Sequence, residues 1–242
     1  MERTVTEAIQ YRRSVRIYKE DLELDDEKVK KCLINASLAP TSSNLQLWEF
    51  YHITDKSKLK EVARACFDQP AAKTAKQLIV VVTRKDLWHK RSKANLDHIK
   101  KGFGDKKKET HTPREKFVLN YYGKLIPTLY TEFLGILGAI RYFFFQIVGL
   151  FRPVYRQVRK SDMRIVAHKS AALAAQNFMI SMAAIGYDTC PMEGLDSLRI
   201  KKILDLPSGS EINMVIGCGV REKEGVYGPR FRIPFEKVYH RV

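Results

Sequence analysis

Cysteine is scarce in this chain and never clustered. Cys32, Cys66, Cys190 and Cys218 are the only four in 242 residues, none forms a CxxC pair, and none stands beside a histidine at metal-ligand spacing. That argues against a disulfide scaffold and against a zinc site, and for free thiols in a reducing compartment. The opening stretch MERTVTEAIQYRRSVRIY carries acidic residues and lacks an apolar core of signal-peptide length, so a cytoplasmic protein is expected. Carboxylates are also in short supply: 27 Asp and Glu face 43 Lys and Arg, a net charge of +16. A balance this basic favours phosphate-bearing ligands, anionic membrane surfaces or polyanions without choosing among them. Part of it lies in one lysine-dense run at 84–108, RKDLWHKRSKANLDHIKKGFGDKKK, whose ordinary reading is a solvated face.

Internal repeats and a regular βαβ alternation are missing as well. At 45% hydrophobic residues the length suits one globular domain over residues 1–242. TVTEAIQYRR reads as a first helix, with Thr4 or Thr6 as its cap. DDEKVKKCLINASLA places Val29, Cys32, Leu33 and Ala36 at helical spacing and has acids at its start, where the helix dipole favours them; Pro40 ends it. WEFYHIT alternates like a strand, DKSKLKEVARACF returns to helix, and QLIVVVTR and EINMVIGCGV read as buried strands. IVAHKSAALAAQNFMISMAAIGY is a long helix of small residues closed by Gly186, and GVYGPRFRIPFEKVYHRV an extended tail. The order of elements gives an α+β fold with one central sheet.

Residues 125–151, LIPTLYTEFLGILGAIRYFFFQIVGLF, do not fit that simple scheme. The segment is long enough to reach across a bilayer, but Glu132 and Arg141 would be costly in lipid. The expectation is a buried helical hairpin, a lid, or an arm packed on a partner subunit. The alternative, favoured by the flanking Lys124, Arg152, Arg156, Arg159 and Lys160, is a helix lying on a membrane surface.

Four stretches are unusually polar or basic. In YRRSVRIY, Arg12, Arg13, Ser14 and Arg16 sit where a helix end passes into extended chain; they suit a phosphate or simply a basic helix terminus. In APTSSNLQLWEF, Ser42, Ser43, Asn44 and Gln46 form either a turn or a ligand cradle. In CPMEGL, the spacing of Pro191, Met192, Glu193 and Gly194 suggests a turn that bares backbone N–H groups. In GPRFRIP, Arg230 and Arg232 are two apart and point to one side of an extended chain, as an anion clamp or a basic tail. His168 is a tempting proton donor, but a structural histidine is the plainer reading, and no nucleophile or acid–base dyad is visible, so no catalytic side chain is assigned.

Taken in order, RRSVRIY, APTSSNLQLWEF, the alanine-rich helix ending AAIGYDTCPMEGLD, MVIGCGV and RFRIP resemble the nitroreductase-like family of FMN-dependent NAD(P)H oxidoreductases. The resemblance covers most of the chain and says least about a helical insert or lid near 100–160. It implies an α+β fold with a mostly antiparallel sheet, and a homodimer with two FMN sites at the interface. By that resemblance Arg12 faces the phosphate, and Arg16 the N1/O2 edge of the ring or the ribityl chain. Arg13 and Ser14 belong to the same motif, and Ser42, Ser43, Asn44 and Gln46 come from the other subunit. The Pro191–Gly194 segment lies under the ring, Arg230 and Arg232 clamp the phosphate, and Gln69 stands where a flavin-contacting amide is common.

The implied activity is a ping-pong transfer of hydride from NADH or NADPH through flavin N5 to a small-molecule acceptor: a nitroaromatic, quinone, flavin or enone. Nucleic acid is not expected as a partner. A reductive dehalogenase or flavin-fragmenting enzyme of the same family is the alternative, as is a non-catalytic membrane-surface protein.

Overall fold

The computed structural model describes residues 2–104 and 110–242; the end of the lysine-dense run, 105–108, lies outside the described residues. Four strands make one sheet: β1 (Trp48–Ile53), β2 (Gln77–Thr83), β3 (Asp188–Met192) and β4 (Glu211–Gly219), in the order β1-β2-β4-β3 with every neighbouring pair antiparallel. The alternation of β2 shows why the sheet is central. Ile79 and Val81 face one cluster, with Ile216, Cys218 and Trp48; Leu78, Val80 and Val82 face the other, with Cys190, Met192 and Val215. Both faces are covered, so all seven residues of β2 are buried, as a continuous β-branched run requires.

The first face is closed by α2 (Asp26–Ser37) and α9 (Lys160–Ala184). Asp25 caps α2 by accepting from the N–H groups of Glu27 and Lys28, and Val29, Cys32 and Ala36 give it a buried stripe. In α9 the fully buried Ala171, Ala174 and Ala175 let backbones approach closely. Gly186, at φ +88°, ends that helix in the left-handed conformation. The helix starts at Lys160, earlier than its apolar periodicity indicates, because Asp162 reaches back to the Arg159 N–H (2.9 Å) and opens it with a polar turn. The second face is closed by α3 (Lys56–Ala65), α4 (Pro70–Lys73) and α10 (Ser197–Ile203). Gly217 in β4 permits that closeness: a Cβ there would lie 2.3 Å from the Ala71 carbonyl oxygen.

The short α1 (Val5–Tyr11) is started by a Thr4–Glu7 capping box. Beyond it the chain runs beside β3: Ser14 bridges Thr189 in parallel and Tyr18 bridges Arg221. The insert consists of α5 (Trp88–Phe103), α6 (Pro113–Asn120), a π-turn at Tyr121–Leu125, α7 (Ile126–Tyr130) and α8 (Ile136–Val148). It is seated through a third cluster, in which Ile126 and Tyr130 meet Leu45, Leu47, Met163 and Ala167.

Candidate active site

The arginines that lie far apart in the sequence converge. Arg12, Arg13, Ser14 and Arg16 line one cavity of about 240 Å³ with Arg230 and Arg232. The convergence is built by backbone. Arg16 N–H donates to the Gly225 carbonyl (2.6 Å), Arg13 donates to the Gly228 carbonyl (2.9 Å), and Arg230 donates to the carbonyls of Gln10 (2.8 Å) and Arg12 (2.6 Å). Five guanidiniums therefore surround one space, and among the described residues lining it there is no carboxylate. Burial, reinforced by Arg230 and Arg232, pushes the Arg12 guanidinium below its usual pKa. The donor set fits a phosphate monoester.

The Pro191–Gly194 stretch is not wholly a turn. Pro191 and Met192 are the last residues of β3, paired with Ile216 and Val215, and only Glu193 and Gly194 leave the sheet. Proline is tolerated there because β3 is an edge strand. The Ser14–Thr189 bridge sets the arginine segment alongside β3, and the Cys190 thiol in that strand is pushed up by burial against the opposing pull of Arg16 and Arg12. Gln69 is brought to the same place: its side-chain amide donates to the carbonyls of Gly194 (2.7 Å) and Cys66 (3.0 Å). It follows two left-handed residues, Phe67 (φ 59°) and Asp68 (φ 49°), a strained turn of the kind that aims functional side chains.

Ser42, Ser43, Asn44 and Gln46 lie elsewhere. They form a short 3₁₀ turn with left-handed backbone at Ser43 (φ 53°), Asn44 (φ 49°) and Gln46 (φ 49°). None of the four lines the arginine cavity. Their polar groups are tied to the insert and to α9. Ser43 Oγ meets Tyr121 Oη (2.7 Å), Tyr122 Oη donates to the Ser43 carbonyl (3.0 Å), and the Ser42 N–H donates to Ser170 Oγ (3.3 Å). Asn44 Nδ2 donates to Asn95 Oδ1 (2.8 Å), and Asn95 Nδ2 donates back to the Asn44 carbonyl (2.9 Å). Ser42 and Ser43 line a largely apolar cavity of about 320 Å³ with Tyr121, Tyr130, Phe145 and Tyr155. These insert residues escaped sequence reasoning; the Tyr121-Tyr122 pair inside a π-turn is the one local signal that could have marked them.

His168 sits in the third turn of α9, where Asn213 Nδ2 donates to its Nδ1 (3.1 Å) and its Nε2 meets Glu211 Oε2 (3.3 Å). That ring joins α9 to β4 and is structural. The four cysteines are free and buried; burial pushes the Cys32 and Cys66 thiols up to about 11.

The description of the nitroreductase family matches residues 9–220. The chain belongs to that family. It is accordingly an FMN-dependent oxidoreductase that uses NAD(P)H, with the α+β fold the motifs implied. Among its relatives are protein DrgA of Synechocystis sp., 29% identical over 90% of this chain and 84% of that one, and SERP2086 of Staphylococcus epidermidis, provisionally named an NAD(P)H nitroreductase, 24% identical over 94% and 92%. A solved structure from Exiguobacterium sibiricum, provisionally named a nitroreductase and in complex with FMN, superposes with a TM-score of 0.67 at 21% identity over 100% of both chains.

Proposed function

We propose that this nitroreductase-family protein works as a homodimer in a ping-pong cycle, reducing a small oxidised acceptor at two FMN sites, each shared between subunits. The observation that carries the reading is the arginine cavity, which has five cations and no carboxylate in its described lining and includes Ser14, bridged to Thr189 of the strand that runs out into the Glu193–Gly194 turn. Arg12, Arg230 and Arg232 would hold the cofactor's phosphate, with Arg13 and Ser14 completing the wall. FMN held there would supply the hydride-transfer chemistry between nicotinamide and acceptor.

The chain's own residues orient and bias that chemistry. Arg16, half-buried in the cavity lining, would supply positive charge to stabilise the negative charge of a reduced flavin. The N–H groups of Glu193 and Gly194 would be the donors to a bound flavin, and Gln69 holds their turn through the Gly194 carbonyl. Ser42, Ser43, Asn44 and Gln46 are absent from the arginine cavity of their own chain, which supports their serving the partner's site. Exposed apolar residues on α1, on α2 and at its C-cap, Val5, Ile9, Ile34 and Leu38, offer the surface for that pairing.

The test compares FMN with riboflavin, which lacks the phosphate, in reconstitution of the apoprotein. A charge-assisted hydrogen bond contributes about 1.5–3 kcal/mol, so FMN should bind at least about tenfold more tightly, and Arg232→Ala should erase most of that preference. Equal affinity for the two flavins in the wild-type protein would remove the phosphate site from the proposal.

A further inference from the structure

The helix α8 is amphipathic the wrong way round for a protein in water. Its polar side chains point inward. Arg141 pairs with Glu132 and donates to the carbonyls of Thr131 (2.9 Å) and Leu129 (3.2 Å), while Gln146 Oε1 accepts from Arg156 (2.6 Å). Its outward face is apolar throughout. Ile136, Ile140, Phe143, Phe144 and Ile147 recur at helical spacing, with Ile140 61% and Phe143 70% exposed, and Leu150, 77% exposed, extends the stripe past the helix end. A contiguous patch of this kind marks an interaction surface.

The charge around it says what covers it. From Lys116 to Ser161 the sequence holds seven Lys and Arg and a single carboxylate, Glu132, which is spent on Arg141 inside the insert. At the start of α8, Gly135 and Ala139 share a cavity of about 420 Å³ with Lys85, Arg159, Lys160 and Arg164, where the lone carboxylate, Glu211, is already paired with Arg164. A basic notch at one end of an apolar stripe complements an anionic headgroup above acyl chains. A second copy of this chain would set one cationic rim against another. The helix is 13 residues long, roughly 20 Å, and among the described residues no helix is long and apolar enough to cross a membrane.

We infer that α8 docks the protein flat on an anionic bilayer surface, its Ile136–Ile147 stripe in the headgroup and acyl boundary and the Arg159–Lys160 notch on lipid phosphates. The inference is independent of the flavin site, whose residues it does not use.

The experiment is sedimentation of the full-length flavoprotein with vesicles of phosphatidylcholine alone and of phosphatidylcholine with phosphatidylglycerol. Three variants are compared: Ile140→Ser/Phe143→Ser/Phe144→Ser, Arg159→Gln/Lys160→Gln, and Phe144→Trp. Wild-type protein should partition into the anionic vesicles, and less so as salt rises. The triple variant should lose about tenfold or more of that partitioning and the notch variant several-fold, both with unchanged flavin content. Phe144→Trp should bind like wild type and show a blue-shifted emission on the vesicles. Failure of the wild type to bind anionic vesicles, or equal binding by the triple variant, overturns the inference. So does a fall in oligomer mass by light scattering in the triple variant, which would assign the stripe to a second copy.

Discussion

The side-chain amide of Gln69 donates to the Gly194 carbonyl oxygen at 2.7 Å, fastening the loop after α3 to the turn that leaves β3. Glu193 and Gly194 thereby gain a fixed orientation from a residue 125 positions away. A hydrogen bond of this kind contributes about 0.5–1.5 kcal/mol net. Gln69→Ala should therefore weaken FMN about two- to tenfold while leaving the melting temperature close to wild type. Fluorescence titration of apoprotein with FMN reads the first effect; unchanged affinity would make Gln69 purely architectural.

The Glu132–Arg141 pair is nearly buried, with side chains 12% and 13% exposed. Removing one partner of such a pair leaves an uncompensated charge and costs about 3–5 kcal/mol. Glu132→Leu should loosen the insert, seen as faster limited proteolysis within 125–160. Glu132→Leu combined with Arg141→Met should restore part of that resistance, since it removes the stranded charge but leaves the Thr131 and Leu129 carbonyls without their Arg141 donor. Sensitivity in the double variant equal to that of Glu132→Leu alone would count against the ion-pair explanation.

Cys32 and Cys66 bear on alkaline stability. Burial raises both thiols to about 11, above an ordinary value of 9.0. The unfolded chain ionises these thiols first, so between pH 9 and 11 it binds fewer protons than the folded one, and stability falls as pH rises. Each thiol contributes on the order of 2 kcal/mol of that loss by the top of the window. Urea midpoints should drop from pH 8.5 to 10.5, and the drop should shrink in Cys32→Ala/Cys66→Ala.

Gly217→Ala tests the packing of α4 on the sheet. The new Cβ would stand 2.3 Å from the Ala71 backbone oxygen, which has no side-chain freedom to yield. Overpacking of this type costs about 1–3 kcal/mol, and calorimetry should show a melting temperature lowered by several degrees.

How far the sequence could be read depended on the physics behind each feature. Strand β2 was legible because seven consecutive buried residues demand cover on both faces. Arg230 and Arg232 were legible as a clamp from their spacing, but their meeting with Arg12 depends on the backbone bonds that fold the tail onto α1. Pro191 misled: its turn propensity was outweighed by pairing along β4, which an edge strand permits. The insert was the least legible part. Apolar content in 125–151 indicated burial, whereas α8 turns its few polar groups inward and leaves its apolar side outward, an inversion that composition cannot express.

The separation of Ser43 from the arginine cavity has a genetic consequence. On the proposed shared site, a chain disabled at Arg12 and a chain disabled at Ser43 are each inactive as homodimers. Mixed together, they form heterodimers in which one site carries both lesions and the other carries neither. Random assortment puts half the molecules in that form, so co-expression should restore about a quarter of the wild-type sites. Two silent alleles would then complement each other within a single gene.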